Sequence, residues 1–176
     1  PIFNEAALLT ARRNGTKIRM DEIEEATTKV MAGPAKKSRV ISEAERKLTA
    51  YHEAGHAIVM RAIPNSDPVH QITIIPRGMA GGFTMSLPED EKFFMKKGDM
   101  VNMIKHLLGG RVAEELKLDD ISTGASNDLE RATAIARQMI TKYGFSSKLG
   151  PVSFSSNDEV FLGKDFSTRQ NYSEET

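Results

Sequence analysis

Apolar positions recur at three- and four-residue intervals through five stretches of this chain, and one β-branched run interrupts them. Ala7, Leu8 and Ala11 predict a helix over residues 4–13, ended by Asn14-Gly15. Asp21 followed by Glu24 is a capping pattern, and Ile23, Ala26, Val30 and Met31 form a stripe that Gly33-Pro34 stops. Residues 34–42, "PAKKSRVIS", read as a basic linker without a period. Ser42 and Glu45 make a capping box that opens a helix running to about Ile63 and breaking at Pro64-Asn65. "VHQITIIPRG", 69–78, has the β-branched content of a strand, and "GGFTMS", 81–86, reads as its hairpin partner. A helix is expected from about Asp99 to Leu116, with Met100, Met103, Ile104, Leu107 and Leu108 on its apolar face. Gly109-Gly110 in its interior costs roughly 1 kcal/mol each against Ala, which predicts close packing there. A last helix should run from about Asn127 to Tyr143 and end at Gly144; beyond it the pattern predicts loop with a short strand.

Composition narrows the function classes. Lys+Arg and Asp+Glu both number 24, so the chain as a whole offers no electrostatic case for a nucleic-acid partner. There is no cysteine, which removes disulfide and thiolate chemistry. No apolar run reaches the ~20 residues a bilayer span needs, so a soluble piece is expected, and both ends look cut from something longer.

The chemistry concentrates in "YHEAGHAIV", 51–59. His52 and His56 are about one helical turn apart, on a stripe with Leu48, Tyr51, Gly55, Val59 and Ile63. Either histidine alone would be taken for a satisfied core residue. Together they can ligate a zinc ion, with Glu53 rotated ~100° from His52, outside the ligand set but within reach of a water activated there. This is the H-E-x-x-H arrangement, which arises by chance in a chain of this length on the order of 1% of the time. A catalytic zinc wants a third protein ligand. His70 and His106 read as surface residues. Asp128, in the first turn of the last helix, shares a ridge with Ala132, Ile135 and Met139, although an acid there also suits the helix dipole. Glu114 or Glu115 in "GGRVAEEL" competes with it; Glu115 shares a ridge with Arg111 and Leu108, and an inward glutamate beside Arg111 could equally form an ion pair or support a ligand. The residues leave that choice open.

"AYHEAGHAIV", "ITIIPRG", "GGRVAEEL" and "STGASNDLERAT", in this order, resemble the FtsH-type, membrane-anchored, ATP-dependent zinc proteases. Residues 1–33 look like the C-terminal part of an AAA+ helical lid, 34–47 like a linker and helix start, and 48–176 like a C-terminally truncated protease domain. The resemblance implies a mainly α, zincin-like domain with a small β-hairpin, one Zn2+ on His52, His56 and Asp128, and Glu53 as general base. Arg111, Glu114 and Glu115 are then left as supports or alternative ligands. It further implies a homo-hexamer that threads unfolded or marked membrane and soluble polypeptides into a chamber. ATP and Mg2+ belong to the full-length protein, since this chain has no G-x-x-x-x-G-K-[ST] loop. The expected location is a bacterial inner membrane with this domain on the cytoplasmic side, or an organelle membrane, with membrane contact only through parts outside this chain. The glycine-rich strand gains a role as the edge that pairs with substrate backbone, along Gly82, Phe83 and Thr84 after Gly81. The competing reading is a catalytically silent assembly module with packed, metal-free histidines; the intact His52, Glu53 and His56 argue for the enzyme.

Overall fold

The computed structural model describes residues 1–36, 40–64, 66–78, 80–87 and 93–154. Among them are five α-helices and one two-stranded antiparallel sheet: α1 (Ile2–Arg12), α2 (Met20–Ala32), α3 (Glu43–Ala62), β1 (Val69–Thr73), β2 (Phe83–Ser86), α4 (Lys97–Leu118) and α5 (Ser126–Thr141), the last preceded by a 3-10 turn at Thr123–Ala125. The fold is mainly helical, as the periodicity predicts. The short strand expected after Gly144 is absent from residues 145–154, and the remainder of that stretch lies outside the described residues. Among the described residues, no helix is long and apolar enough to cross a membrane.

Residues 1–89 and 109–122 form one compact unit. In it α1 packs on α2, with Ala6 and Ala26 fully buried, and the β1–β2 hairpin lies on α3. Ser42 caps α3 by accepting the Glu45 N–H at 3.1 Å, as its sequence pattern predicts. The cap of α2 differs from expectation. Glu22, not Glu24, reaches back, its carboxylate accepting the Arg19 N–H at 2.9 Å, so the helix begins at Met20. The expected stripe on α2 holds only in its first half: Ala26 is buried and Ile23 half-buried, but Val30 and Met31 are exposed while Glu22 and Thr28 are buried. Polar residues face inward because each finds a partner. Thr28 donates to Gln71 of β1 at 2.9 Å, and buried Arg77 donates to both carboxylate oxygens of Glu25, at 3.2 and 3.0 Å. β1 stops at Thr73, earlier than expected, and the Arg77 backbone forms isolated bridges with Ala35 and Ala80 instead.

The described residues 93–108 and 123–154 fall in the second unit. Met100 and Leu107 are buried on α4 as expected, whereas Met103 is exposed. Ala132 and Met139 are the buried apolar residues of α5. Its end is tied down by Phe145, whose N–H donates to the Met139 carbonyl at 2.8 Å, while Gly144 takes a positive φ of 60°.

Candidate metal centre

The residues that carry the site sit on the middle turns of α3, where His52, Glu53, Gly55 and His56 are all buried. Glu53 is buried along with the histidines, a deeper placement than the helical stripe predicts. Small residues make this possible. A Cβ at Gly55 would lie 2.3 Å from the Gly109 carbonyl oxygen, and one at Gly109 would lie 2.8 Å from the Gly55 carbonyl oxygen. The backbones of α3 and α4 therefore touch, which is the close packing that the interior glycine pair predicts. One residue on, a Cβ at Gly110 would stand 2.6 Å from both His52 Cε1 and His56 Nε2. Gly110 is the floor on which the two rings rest.

The rings meet edge to face, with centroids 4.7 Å apart and planes at 80°. His52 Nδ1 is 2.6 Å from Glu114 Oε1, and the other oxygen of that carboxylate accepts the Ser122 N–H at 2.8 Å. A carboxylate can only accept, so the proton of neutral His52 resides on Nδ1 and the lone pair on Nε2. That Nε2 lies 3.0 Å from Nε2 of His56. Two bonds of about 2.0–2.1 Å at a tetrahedral angle would hold nitrogens roughly 3.4 Å apart, so the pair is within tenths of an ångström of sharing one zinc-sized cation. His52, His56 and Asp128 each offer a ligand atom, and these atoms lie within 4.8 Å of one another. Two imidazoles and one carboxylate are a donor set of the kind catalytic zinc takes.

Glu114 is fully buried and meets His52, whereas Glu115 is exposed. The ridge that groups Glu115 with Arg111 places it correctly beside that arginine but on the surface: both line a pocket with Asp119, Asp120 and Ile121. Asp128 is half-buried in the first turn of α5. Of the two other histidines, His70 is exposed as expected, but His106 is half-buried with its Nδ1 shielded from solvent.

β2 closes over Glu53 from the other side. Thr84 Oγ1 is 2.7 Å from Glu53 Oε2 and 3.1 Å from the main-chain carbonyl oxygen of the same residue. Gly82 is buried, and a Cβ there would lie 2.6 Å from the Thr73 carbonyl oxygen and 3.1 Å from Glu53 Cγ. Sequence reasoning missed the Thr84–Glu53 and Ser122–Glu114 contacts. Only the glycines beside Thr84 signal that something approaches closely there.

Comparison with known proteins places these residues in context. Residues 39–176 match the model of peptidase family M41. The chain is 65% identical over 175 residues to the ATP-dependent zinc metalloprotease FtsH 2 of Alkaliphilus metalliredigens, covering 99% of this chain and 25% of that protein. It is 61% identical over 175 residues to FtsH 1 of a Thermoanaerobacter species, covering 99% of this chain and 29% of the relative. Against FtsH of Bacillus subtilis it is 52% identical over 176 residues, with 99% and 28% covered. The chain thus spans between a quarter and a third of the length of these relatives.

Proposed function

This chain belongs to peptidase family M41, and from that membership we propose that its protease portion is a zinc-dependent endopeptidase of the FtsH type. One observation carries the reading. A single buried helical turn presents two imidazole Nε2 atoms 3.0 Å apart, with Glu53 alongside and Glu114 fixing the tautomer of His52. His52, His56 and Asp128 would hold the ion, in keeping with relatives named zinc metalloproteases. Bound there, zinc supplies Lewis acidity that polarises the scissile carbonyl and acidifies water at the site. Glu53 takes the proton from the attacking water and returns it to the leaving amine. Glu114 keeps the His52 lone pair aimed at the centre throughout.

Substrate backbone would lie along β2. Among the described residues β2 pairs only with β1, which leaves its other edge for an extended polypeptide running past Gly82, Phe83 and Thr84. Such pairing gives affinity through main-chain hydrogen bonds and little sequence preference, which suits unfolded or marked proteins. Residues 1–33 serve as the C-terminal part of an AAA+ helical lid and 34–47 as the connection to the protease domain. We further propose that the full-length protein carries an ATPase with its ATP and Mg2+ and a membrane anchor, and assembles as a homo-hexameric ring; the relatives' description as ATP-dependent supports the first of these.

Metal analysis of the full-length protein tests this. About one zinc per chain is expected, and His56→Ala should abolish it. Glu53→Gln should keep the zinc and lose peptide cleavage by about 10²–10⁴-fold. Stoichiometric zinc in the His56 variant, or turnover surviving in the Glu53 variant, would end the assignment.

A further inference from the structure

Strand β2 does more at this site than offer an edge. Thr84 has one hydroxyl proton and two acceptors within reach, both belonging to Glu53. The carboxylate oxygen is nearer, at 2.7 Å against 3.1 Å for the carbonyl, and a carboxylate is the stronger acceptor. The proton therefore goes to Oε2. Glu53 hangs from a helix that fixes only its Cα–Cβ direction, which leaves three side-chain torsions for its partners to set. Gly82, immediately before the first residue of β2, lets the strand come down far enough for the hydroxyl to reach. A Cβ at Gly82 would sit 2.7 Å from Thr49 Cγ2 and 3.1 Å from Glu53 Cγ.

We propose that Thr84 is a positioning residue for Glu53: its hydroxyl fixes the carboxylate rotamer that acts as base, while the backbone of the same strand remains available to substrate. The proposal rests on the peptidase reading above and assigns the Thr84 side chain to the base rather than to the substrate. Mispositioning a reacting group by about 1 Å can cost on the order of 10²-fold in rate.

The test is steady-state cleavage of a short unstructured fluorogenic peptide by the zinc-loaded full-length protein, comparing Thr84→Val with Thr84→Ser. Thr84→Val keeps the shape and removes the hydroxyl. It should lower kcat by about 10- to 100-fold with KM within about twofold and zinc content unchanged. Thr84→Ser, which restores the hydroxyl, should recover kcat to within about threefold. An unchanged kcat in the valine variant, a loss confined to KM, or a serine variant no better than valine would each overturn the proposal. If the unsubstituted protein itself shows no zinc-dependent cleavage, the peptidase reading fails first and takes this inference with it.

Discussion

Two buried glutamates in the same compact unit are gripped in the same way and do different work. Glu114 accepts one side-chain donor, His52 Nδ1, and one backbone N–H, from Ser122. Glu22 likewise accepts one side-chain donor, Arg13 Nη1 at 2.7 Å, and one backbone N–H, from Arg19. The donors decide what each grip accomplishes. Arg13 is half exposed and also pairs with the exposed Asp21, so Glu22 caps α2 and joins it to α1. His52 is buried, and its second nitrogen faces His56, so Glu114 transmits order into a centre where geometry is the function. Around α1 and α2 the side chains can shift and water can substitute. Around His52 the neighbours are the Gly110 backbone, the His56 ring and the fully buried Glu114 carboxylate, which leaves little room to shift.

The sharpest way to break that contrast is to add one methyl group. Gly110→Ala replaces a poor helix former by the best one and should on propensity alone gain roughly 1 kcal/mol. Its Cβ would instead stand 2.6 Å from both rings, and overpacking of this kind costs about 1–3 kcal/mol while displacing the nitrogens. We expect zinc binding to fall by more than about 100-fold, since removing even an outer partner of a ligand costs 10–100-fold. Gly98, in the first turn of the same helix, has nothing among the described residues within 4 Å of an added Cβ. Gly98→Ala should keep full zinc and raise stability by about 0.5–1 kcal/mol. Equal zinc content in the two variants would show that Gly110 does not hold the rings.

The glycine pair also marks how far the sequence can be read. Interior helix glycines announce a close approach, because their cost must be offset by packing, but they do not say what approaches. The H-E-x-x-H spacing puts both imidazoles on one face through helix geometry alone, so that part of the site was legible. Glu114 and Glu115 are adjacent, and a wheel that groups Glu115 with Arg111 and Leu108 does not choose between them; only the direction of His52 reveals that Glu114 turns inward. The α2 face was misread for a related reason. Burial there follows hydrogen-bond partners on distant segments, Thr28 to Gln71 and Arg77 to Glu25, and apolar periodicity carries no information about them. The hairpin was legible from composition, but the contact between Thr84 and Glu53 depends on a strand and a helix some thirty residues apart.

A milder perturbation separates ligand from support. Asp128→Asn and Glu114→Gln each remove one negative charge, but only the first alters an atom that would bind the ion. Zinc affinity should fall by about 10- to 100-fold for Glu114→Gln, the range typical of groups that orient a histidine ligand. It should fall further for Asp128→Asn. Competition titration with a chromogenic chelator gives both numbers, and the reverse ranking would move the ligand role to Glu114.

The smallest effect belongs to Glu22, and its pH dependence is its signature. The hydrogen bond from Arg13, reinforced by the Arg19 N–H, holds its carboxyl below the 4.5 of a free glutamate. The folded protein therefore binds this proton more weakly than the unfolded chain does. Stability from the ionised group is present above the unfolded value and is lost as pH falls through the lower folded value. Glu22→Gln should accordingly melt slightly below the unsubstituted protein at neutral pH, with the gap closing once the medium is acid enough to protonate Glu22 in the folded state. Zinc content should not change at any pH where the parent retains its own. A gap that persists in acid would mean that Glu22 acts through packing rather than charge, and a loss of zinc would mean that the two glutamates belong to one network after all.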